Sequence, residues 1–342
     1  MKIGVLTGGG DCPGLNAVIR GAFFNAKKHG HKLIGIKNGW AGLMEANGAP
    51  LKIEDVQHII TKGGTIIGTS RTNPFKTPDG PKKVQENMKK MGLDALIAIG
   101  GDDTLGVANK LAKLGVHVVG VPKTIDNDLC CTEFTFGFDT AVNTATEAID
   151  RVRDTAESHN RNMVVEVMGR HAGWIAAYAG IAGAADYITV PEEPFDVEDI
   201  CRAIREQRKR GKNYSIIVVS EGSLPKEGTM KVEDGKEVDA FGHVHLGGIG
   251  NAIAQEIEKR TGIQTRCDIL GYIQRGGVPS AFDRVLSTRF GIKAVELVRD
   301  GAWGKMVALQ ANKIVAVPLE DAVGKLKLLD METYNASKVF FG

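Results

Sequence analysis

Two short acidic loops carry the residues best suited to chemistry. Gly100–Thr104 reads Gly-Gly-Asp-Asp-Thr, and Pro122–Asp128 reads Pro-Lys-Thr-Ile-Asp-Asn-Asp. Each follows an apolar run that predicts a buried parallel strand, Ala95–Ile99 for the first loop and Val116–Val121 for the second. Because open α/β sheets bind ligands at the carboxyl ends of their strands, we expect the four carboxylates to gather at one sheet edge.

Crowded carboxylates limit the ligands that such a site accepts. They repel one another unless a cation lies among them or one keeps its proton. Mg²⁺ prefers oxygen ligands and usually binds together with phosphates. The cluster therefore predicts phosphoryl transfer, in which Asp102 or Asp103 ligates Mg²⁺ and Asp126 or Asp128 accepts a proton from the attacking hydroxyl. Alternatively these residues cap helices, which would account for one of them but hardly for all four.

Two glycine-rich loops are candidates for holding phosphates. Thr7–Gly14 lies between the first predicted strand and the first predicted helix, so its backbone N–H groups can face an anion. It matches neither a Walker A loop nor the Gly-x-Gly-x-x-Gly fingerprint, and the alternative is a tight turn. Gly63–Arg71 ends in an arginine, which either holds a phosphate through paired hydrogen bonds or lies in solvent.

Arginines in other loops are candidates for binding an anionic substrate. In Met168–Gly173, Arg170 and the backbone amides can grip an anion, whereas His171 is expected to be polar packing. Gly271–Gly277 places Arg275 in a glycine-rich turn. Two further candidates, each with an alternative interpretation as a surface cation, are Arg161 and Arg266.

Strands and helices alternate along the chain. The predicted strands are Ile3–Leu6, Ala95–Ile99, Val116–Val121, Met163–Val167, Tyr187–Val190 and Ser215–Val219. The predicted helices are Leu15–Lys28, Thr104–Leu114, Asp139–Ser158, Trp174–Ala184, Val197–Lys209, Gly248–Arg260 and Phe282–Arg299. Fully apolar strands that alternate with helices predict parallel sheets covered on both faces. The polar segment Gly222–Gly247 interrupts this pattern and reads as a β-hairpin around Asp234-Gly235.

Composition narrows the class of protein. The 342 residues favour two domains or one large α/β domain, and 43% hydrophobic residues supply a core. A net charge of +2 does not indicate the strongly basic surface that binding to nucleic acid or to a membrane surface would require. The longest apolar run, Trp174–Ala185, is about half of the ~20 residues that a membrane span needs.

Cysteine usage and the start of the chain predict the compartment. The five cysteines are odd in number and include no Cys-x-x-Cys pair, so neither a disulfide framework nor a zinc site is indicated. We therefore expect a reducing, cytoplasmic compartment. The chain opens directly into a predicted strand, so no signal peptide is expected.

Taken together, the loops resemble the 6-phosphofructokinase family. The resemblance runs from Lys2 to about Leu319 and includes the motifs TGGGDCPGLN, GGDDT, PKTIDND, EVMGRHAG and GYIQRGG. It implies the phosphofructokinase fold, an α/β architecture of two Rossmann-like three-layer domains with mainly parallel sheets. It also implies phosphoryl transfer to the 1-hydroxyl of fructose 6-phosphate. The domains it implies are 1–137 with 274–324 for the phosphoryl donor and 138–273 with 325–342 for fructose 6-phosphate.

The resemblance also implies roles for single residues. Asp126 matches the general base and Asp102 the Mg²⁺-linked acid, with Thr124, Asp128 and Arg170 as further catalytic residues. The matches to the donor loops are Gly9, Gly10 and Arg71. The matches to the sugar-phosphate site are Thr124, Asp126, Met168, Gly169, Arg170, Glu221, Tyr272 and Arg275. Arg161 and Arg266 match arginines supplied across a subunit interface, which implies a homodimer or homotetramer with shared active sites.

Two side chains predict the phosphoryl donor. ATP-using members of the family commonly have glycine where Asp103 stands, and many have glycine where Lys123 stands. Asp103 would place negative charge where the α-phosphate of a nucleotide must lie, and Lys123 would supply a cation to the terminal phosphate of a shorter donor. The pair therefore resembles the pyrophosphate-dependent or mixed-donor branch.

Three alternatives remain at this point. An ATP-dependent 6-phosphofructokinase is the first. A noncatalytic regulatory subunit that binds sugar phosphates is the second, although such a chain would be expected to lose the base or the acids that ligate Mg²⁺. The third is another Gly-Gly-Asp kinase acting on a lipid or dinucleotide, in which PKTIDND and MGRHAG have no place.

Overall fold

The computed structural model of the chain describes residues 1–230 and 246–341. Its strands are β1 (Lys2–Thr7), β2 (Lys32–Ile36), β3 (Gly48–Pro50), β4 (Ala95–Gly100), β5 (Val118–Pro122), β6 (Asn162–Val167), β7 (Tyr187–Thr189), β8 (Ser215–Ser220), β9 (Thr265–Ile269), β10 (Lys305–Gln310) and β11 (Lys313–Pro318). The turn of the predicted hairpin, Asp234-Gly235, lies outside the described residues.

The helices connect these strands and cover the sheets. They are α1 (Leu15–Lys28), α2 (Gly39–Met44), α3 (Ile53–Val56), α4 (Gly80–Met91), α5 (Asp102–Lys113), α6 (Phe138–His159), α7 (Trp174–Ala182), α8 (Val197–Lys209), α9 (Ile249–Thr261), α10 (Ala281–Arg299), α11 (Leu319–Ala322) and α12 (Met331–Lys338). Within residues 1–230 and 246–341, no helix combines the length and the hydropathy required to cross a bilayer.

The larger sheet has seven strands in the order β11-β10-β5-β4-β1-β2-β3. Its centre is parallel, with Val5 paired to Ile97 and Ile97 paired to Val119. The two edge strands, β3 and β11, run antiparallel to their neighbours. β4 and β5 are buried along their whole length, as expected for parallel strands that helices cover on both faces.

The smaller sheet has four parallel strands in the order β7-β8-β6-β9. β6 pairs with both β8 and β9, and every residue of β6 and β8 is buried. The expected α/β class with mainly parallel sheets is therefore confirmed. The strands of the larger sheet lie within residues 2–122 and 305–318, and those of the smaller sheet lie within residues 162–269. The assignment of one domain to each ligand stays a prediction.

Predicted elements differ from the structure mainly at their ends. α1 and α8 have the predicted bounds. β5 begins at Val118 rather than Val116, because the Val116 N–H donates to the Leu111 carbonyl at 3.0 Å and closes the turn after α5. α5 begins at Asp102 rather than Thr104, so Asp102 and Asp103 form its first turn, where negative charge interacts favourably with the helix dipole.

Two glycines allow α1, which follows the first glycine-rich loop, to pack closely against α10. A Cβ atom on Gly21 would lie 2.6 Å from the Thr288 carbonyl oxygen, and one on Gly291 would lie 2.2 Å from the Val18 carbonyl oxygen. Both neighbours are backbone atoms of the facing helix, so a side chain at either position would force the two helices apart. This contact sets the position of the loop that precedes α1.

We predict that Gly291→Ala lowers the free energy of unfolding by roughly 1–3 kcal/mol, because the methyl group meets the Val18 backbone. The matched control is Gly106→Ala in the interior of α5, where a Cβ atom would meet nothing within 4 Å. Helix propensity should make that variant up to about 1 kcal/mol more stable. Urea denaturation of both proteins measures the difference, and equal stabilisation by the two substitutions would contradict the account.

Candidate active site

A cleft of about 350 Å³ lies at the carboxyl ends of β1, β4 and β5. The predicted site residues that line it are Gly9, Gly10, Arg71, Asp102, Asp103, Lys123, Thr124, Asp126, Asp128, Arg170 and Arg275. The structure thus brings together all four carboxylates of the two acidic loops with the glycine-rich loop after β1. Their predicted roles stay predictions.

The two glycine-rich loops lie side by side. The Gly9 N–H donates to the Ser70 carbonyl at 3.1 Å, and the Thr69 hydroxyl donates to the Gly9 carbonyl at 2.6 Å. Gly9 has a φ of 78°, a left-handed conformation that glycine adopts without steric cost. These bonds fix the loop after β1 and bring Arg71 to the same cleft.

Lys123 places a buried cation beside this loop. Its side chain is 3% exposed, and its ammonium donates a hydrogen bond to the Gly10 carbonyl. Burial lowers the pKa of Lys123. The Lys123 N–H also donates to the Gly100 carbonyl at 2.9 Å, so the ammonium is anchored at the end of β4 and β5. A buried cation against glycine backbone suits an anionic ligand.

A network of short bonds shapes the loop that carries Asp126. The Asp126 N–H donates to the Thr124 hydroxyl at 3.0 Å, and the Thr135 hydroxyl donates to the Thr124 carbonyl at 2.7 Å. Asn127 has a φ of 53°, and its Oδ1 accepts the Thr135 N–H at 3.0 Å. Asp126 is 4% exposed, and its Oδ1 is buried without a hydrogen-bond partner among the described residues. That oxygen is therefore available to a substrate proton.

Negative charge accumulates around Asp126. Burial, together with the neighbouring Asp126 carboxylate, raises the pKa of Asp128 to about 7. The same two causes raise the pKa of Glu221 to about 7. Asp126 and the partly buried Asp128 and Glu221 thus lie within electrostatic reach of one another, which disfavours the simultaneous ionisation of all three.

Backbone strain marks the loop after β6. Gly169 has a φ of 141° and Arg170 a φ of 53°, and the left-handed region is costly for a residue with a side chain. The Arg170 N–H donates to the Glu221 carboxylate at 3.0 Å, which holds this conformation. As a result Arg170 faces the acidic loops across the cleft.

Arg275 reaches the donor side of the cleft rather than only the sugar-phosphate side. Its Nη1 donates to the Asp11 carbonyl at 3.4 Å, and a Cβ atom on Gly10 would lie 2.7 Å from the same Nη1. The side chain is buried. The guanidinium is therefore seated against the glycine-rich loop, next to Lys123.

Six other residues predicted for the sugar-phosphate site lie outside the wall of this cleft. They are Arg161, Met168, Gly169, Glu221, Arg266 and Tyr272. Glu221 acts through Arg170, as described above, and Tyr272 is 75% exposed. Arg266 forms an ion pair with Glu258 at 3.1 Å on the protein surface. Within residues 1–230 and 246–341, these six residues are therefore not part of the wall that Asp126 lines.

Sequence reasoning missed one wall of the cleft. Gly324, Lys325 and Leu326 line it, and the Gly324 N–H donates to Asp102 Oδ1 at 2.7 Å. The resemblance ended at about Leu319, and this segment carries no motif. His171, expected to be polar packing, also lines the cleft and is exposed there.

The donor set fits Mg²⁺ held jointly with phosphate. Within the ranges 1–230 and 246–341, no three His, Cys, Asp or Glu side chains come close enough to hold a metal ion alone. Mg²⁺ commonly takes one or two carboxylates and completes its shell with phosphate oxygens and water. Asp102, Asp103 and Asp126 all line the cleft, and Asp126 Oδ1 has no hydrogen-bond partner among the described residues, so carboxylate oxygens of the kind that Mg²⁺ prefers are present.

Known proteins match the chain over its full length. Residues 2–298 match the family described as Phosphofructokinase. A pyrophosphate–fructose 6-phosphate 1-phosphotransferase of Amycolatopsis methanolica is 56% identical, and the alignment covers 100% of both chains. An ATP-dependent 6-phosphofructokinase of Corynebacterium efficiens is 51% identical over 100% of this chain and 99% of its own. The T-state crystal structure of Pichia pastoris phosphofructokinase superposes with a TM-score of 0.83 at 32% identity, covering 99% of this chain and 36% of that one. The chain belongs to the phosphofructokinase family.

Proposed function

We propose that the chain is a pyrophosphate-dependent phosphofructokinase that transfers a phosphoryl group from diphosphate to the 1-hydroxyl of fructose 6-phosphate. The observation that carries the proposal is that Asp103 and the buried Lys123 line the same cleft. The name of the Amycolatopsis methanolica relative supports it. The proposed transfer is readily reversible. The phosphoryl-transfer potential of diphosphate lies closer to that of the phosphate ester formed at the sugar 1-hydroxyl than the transfer potential of ATP does.

Charge at the two ends of the donor site favours the shorter donor. Lys123 sits beside Gly9 and Gly10, where it can bind the phosphate that is left behind or transferred. Asp103, in the first turn of α5, opposes a further anionic group on the same side. A nucleotide has to place an additional phosphate and a nucleoside there, whereas diphosphate does not.

An ATP-dependent 6-phosphofructokinase is the second candidate. The observation in its favour is the name of the Corynebacterium efficiens relative, whose identity is nearly as high. A noncatalytic regulatory subunit is disfavoured, because Asp102 and Asp126 both line the cleft and Asp126 keeps an unpartnered oxygen.

Asp126 is proposed to accept the proton of the sugar 1-hydroxyl as its oxygen forms a bond to phosphorus, while the bond from that phosphorus to the bridging oxygen of diphosphate breaks and orthophosphate leaves. The buried Oδ1 of Asp126 has no hydrogen-bond partner among the described residues, and the Thr124 hydroxyl holds its backbone. Arg170 and Lys123 both line the cleft and would stabilise the charge that develops on the transferred group. Mg²⁺ bound at Asp102 would neutralise phosphate oxygens in the same step.

We propose a homodimer or homotetramer with shared active sites, acting in the cytoplasm. Arg161 and Arg266 lie outside the cleft of their own chain, as expected of residues that complete a partner's sugar-phosphate site. Exposed apolar side chains between residues 269 and 285 support an interface; they are Ile269, Tyr272, Ile273, Val278, Phe282 and Val285. Apolar patches of this kind commonly mark contacts between proteins.

Asp126→Ser should lower kcat by about 10²- to 10⁴-fold, because the attacking hydroxyl loses its proton acceptor. Binding of fructose 6-phosphate, measured by calorimetry, should survive. Asp300→Ser, at an exposed position after α10, is the control and should keep full activity. An Asp126→Ser enzyme with the original kcat would remove Asp126 from the mechanism.

Asp103→Gly combined with Lys123→Gly should move donor preference toward ATP. Removing Asp103 relieves repulsion of the nucleotide, and removing Lys123 weakens diphosphate binding. The readout is the ratio of kcat/KM for the two donors, which should shift by about tenfold or more, since tenfold corresponds to roughly 1.4 kcal/mol. The single variants separate the two contributions, and an unchanged ratio in the double variant would mean that other residues select the donor.

Asp128→Asn should stabilise the ligand-free protein in a pH-dependent way. The pKa of Asp128 is raised from 3.8 to about 7, so the folded state holds a proton there that the unfolded chain releases above pH 4. The destabilising contribution of this carboxyl therefore grows as the pH rises to 7 and is largest above it. At pH 8 the variant should exceed the wild type by at most about 4 kcal/mol, and the gap should narrow as the pH falls to 5.

Urea titrations in EDTA at pH 5 and pH 8 measure this gap for Asp128→Asn. Asp300→Asn, exposed to solvent, is the control and should show no such pH dependence. A gap that is equal at both pH values would contradict the assignment of buried charge to Asp128.

A further inference from the structure

Lys327 joins the two sides of the cleft through its main chain. Its N–H donates to the Asp128 carbonyl at 2.9 Å, and its carbonyl accepts the indole N–H of Trp174 at 3.0 Å. Asp128 ends the loop of acidic residues that carries Asp126, whereas Trp174 is the first residue of α7, directly after the loop that carries Arg170. The main chain of this one residue is therefore hydrogen-bonded both to the loop that carries Asp126 and to the residue that begins α7, after the loop that carries Arg170.

The ammonium of Lys327 uses all of its hydrogens on the acidic loop and the turn that follows it. It donates to Asn127 Oδ1 at 3.1 Å, to the Thr132 carbonyl at 2.9 Å and to the Glu133 carbonyl at 2.8 Å. It also lies 5.1 Å from the ring centroid of Trp174, within the range of a cation–π interaction. The side chain thus fixes the same two loops as its main chain.

Asn127 is the contact that matters most for Asp126. It is fully buried and adopts a φ of 53°, which a residue with a side chain holds only where its surroundings impose it. Its Oδ1 accepts hydrogen bonds from the Thr135 N–H at 3.0 Å, the Lys327 ammonium at 3.1 Å and, more weakly, the Thr135 hydroxyl at 3.5 Å. Removing the ammonium would loosen the residue next to Asp126.

Lys327 also places positive charge close to the acidic cluster. Burial lowers the pKa of Lys327 to about 8, while the Asp128 carboxylate acts in the opposite direction. The side chain does not line the cleft, although Lys325 and Leu326 do. It therefore acts on the reaction through neighbouring residues and not by touching the substrates.

We propose that Lys327 is a positioning residue for phosphoryl transfer, whose ammonium holds the Asp126 loop at a fixed place relative to the Arg170 loop. The proposal rests on the proposed function for its kinetic consequence. Its structural consequence, a fixed conformation of residues 124–135, is independent of which donor or acceptor is used.

The backbone around Lys327 should survive loss of the side chain. Glu192 accepts the Gly173 N–H at 3.0 Å and the Leu329 N–H at 2.8 Å, so a second tie holds this segment against the start of α7. A methionine at 327 keeps the length and the main-chain bonds but lacks the charge and the donors. Lys327→Met therefore tests the ammonium alone.

The matched control is Lys338→Met. The Lys338 ammonium also lies over an aromatic ring, 4.7 Å from the centroid of Tyr334, and it pairs with Glu193 at 2.7 Å, but these partners lie outside the loops that carry Asp126 and Arg170. We expect Lys327→Met to lower kcat with diphosphate by about ten- to a hundredfold, as small displacements of catalytic groups do. The KM values for both substrates should stay within roughly threefold, because the binding residues remain. Lys338→Met should keep the original kcat.

Hydrogen exchange supplies a readout that needs no activity. The peptide covering residues 124–135 should exchange faster in Lys327→Met and at the original rate in Lys338→Met. If Lys327→Met does not fold, Lys327→Gln replaces it, since its amide can donate to two of the three oxygens, and it should show a smaller loss of kcat with the same sign.

Unchanged kcat and unchanged exchange in a folded Lys327 variant would overturn the proposal. A loss of kcat matched by an equal rise of KM would also overturn it, because that pattern belongs to substrate binding. A wild-type chain that transfers phosphate from neither donor would instead overturn the proposed function, and faster exchange of residues 124–135 would still support the role of Lys327.

Discussion

Mutual repulsion between carboxyl groups crowded around Asp126 is the physical constraint on which the rest of this site depends. Asp126, Asp128 and Glu221 lie close enough that the pKa values of the latter two are raised to about 7. Such a cluster is tolerated because the folded scaffold imposes it, and it becomes favourable only when positive charge enters with the substrates. Preorganisation of this kind is what the proposed binding of Mg²⁺ and phosphate would require.

The fold holds this site in place through close contacts between separate main-chain segments. The loop after β1 is bonded to the neighbouring glycine-rich loop, and α1 behind it packs against α10 through Gly21 and Gly291. Left-handed backbone conformations at Asn127 and Arg170 direct the loops that carry Asp126 and Arg170 toward the same cleft. Lys123 and Lys327 then place two cations near the acidic loop, one bonded to the Gly10 carbonyl and one bonded to Asn127, the residue next to Asp126.

Much of this arrangement was predictable from the sequence, because strongly apolar strands and glycine-rich turns have local signatures. α1 and α8 have the predicted bounds, and the acidic loops meet at one sheet edge as the topology of parallel strands requires. Several elements that carry none of the motifs, such as α4, β9 and β10, were missed. Their burial depends on neighbours that are distant in the chain.

The role of the C-terminal segment was not predictable in this way. Gly324–Leu326 and Lys327 lie about 200 positions from the loops they contact, and a lysine among leucines carries no motif. The left-handed conformation of Arg170 could not be predicted from the sequence either. The carboxylate that accepts its N–H belongs to Glu221, which follows a different strand. The arginines expected to act across an interface remain predictions, because their function depends on a second subunit.

The central claim is that the paired Asp103 and Lys123 make this cleft a site for diphosphate. Initial rates of the wild-type enzyme with fructose 6-phosphate and Mg²⁺, measured with diphosphate and with ATP in turn, test it most directly. We expect kcat/KM with diphosphate to exceed that with ATP by about a hundredfold or more, or roughly 3 kcal/mol in transition-state stabilisation. An enzyme that turns over ATP efficiently and leaves diphosphate unused would contradict it.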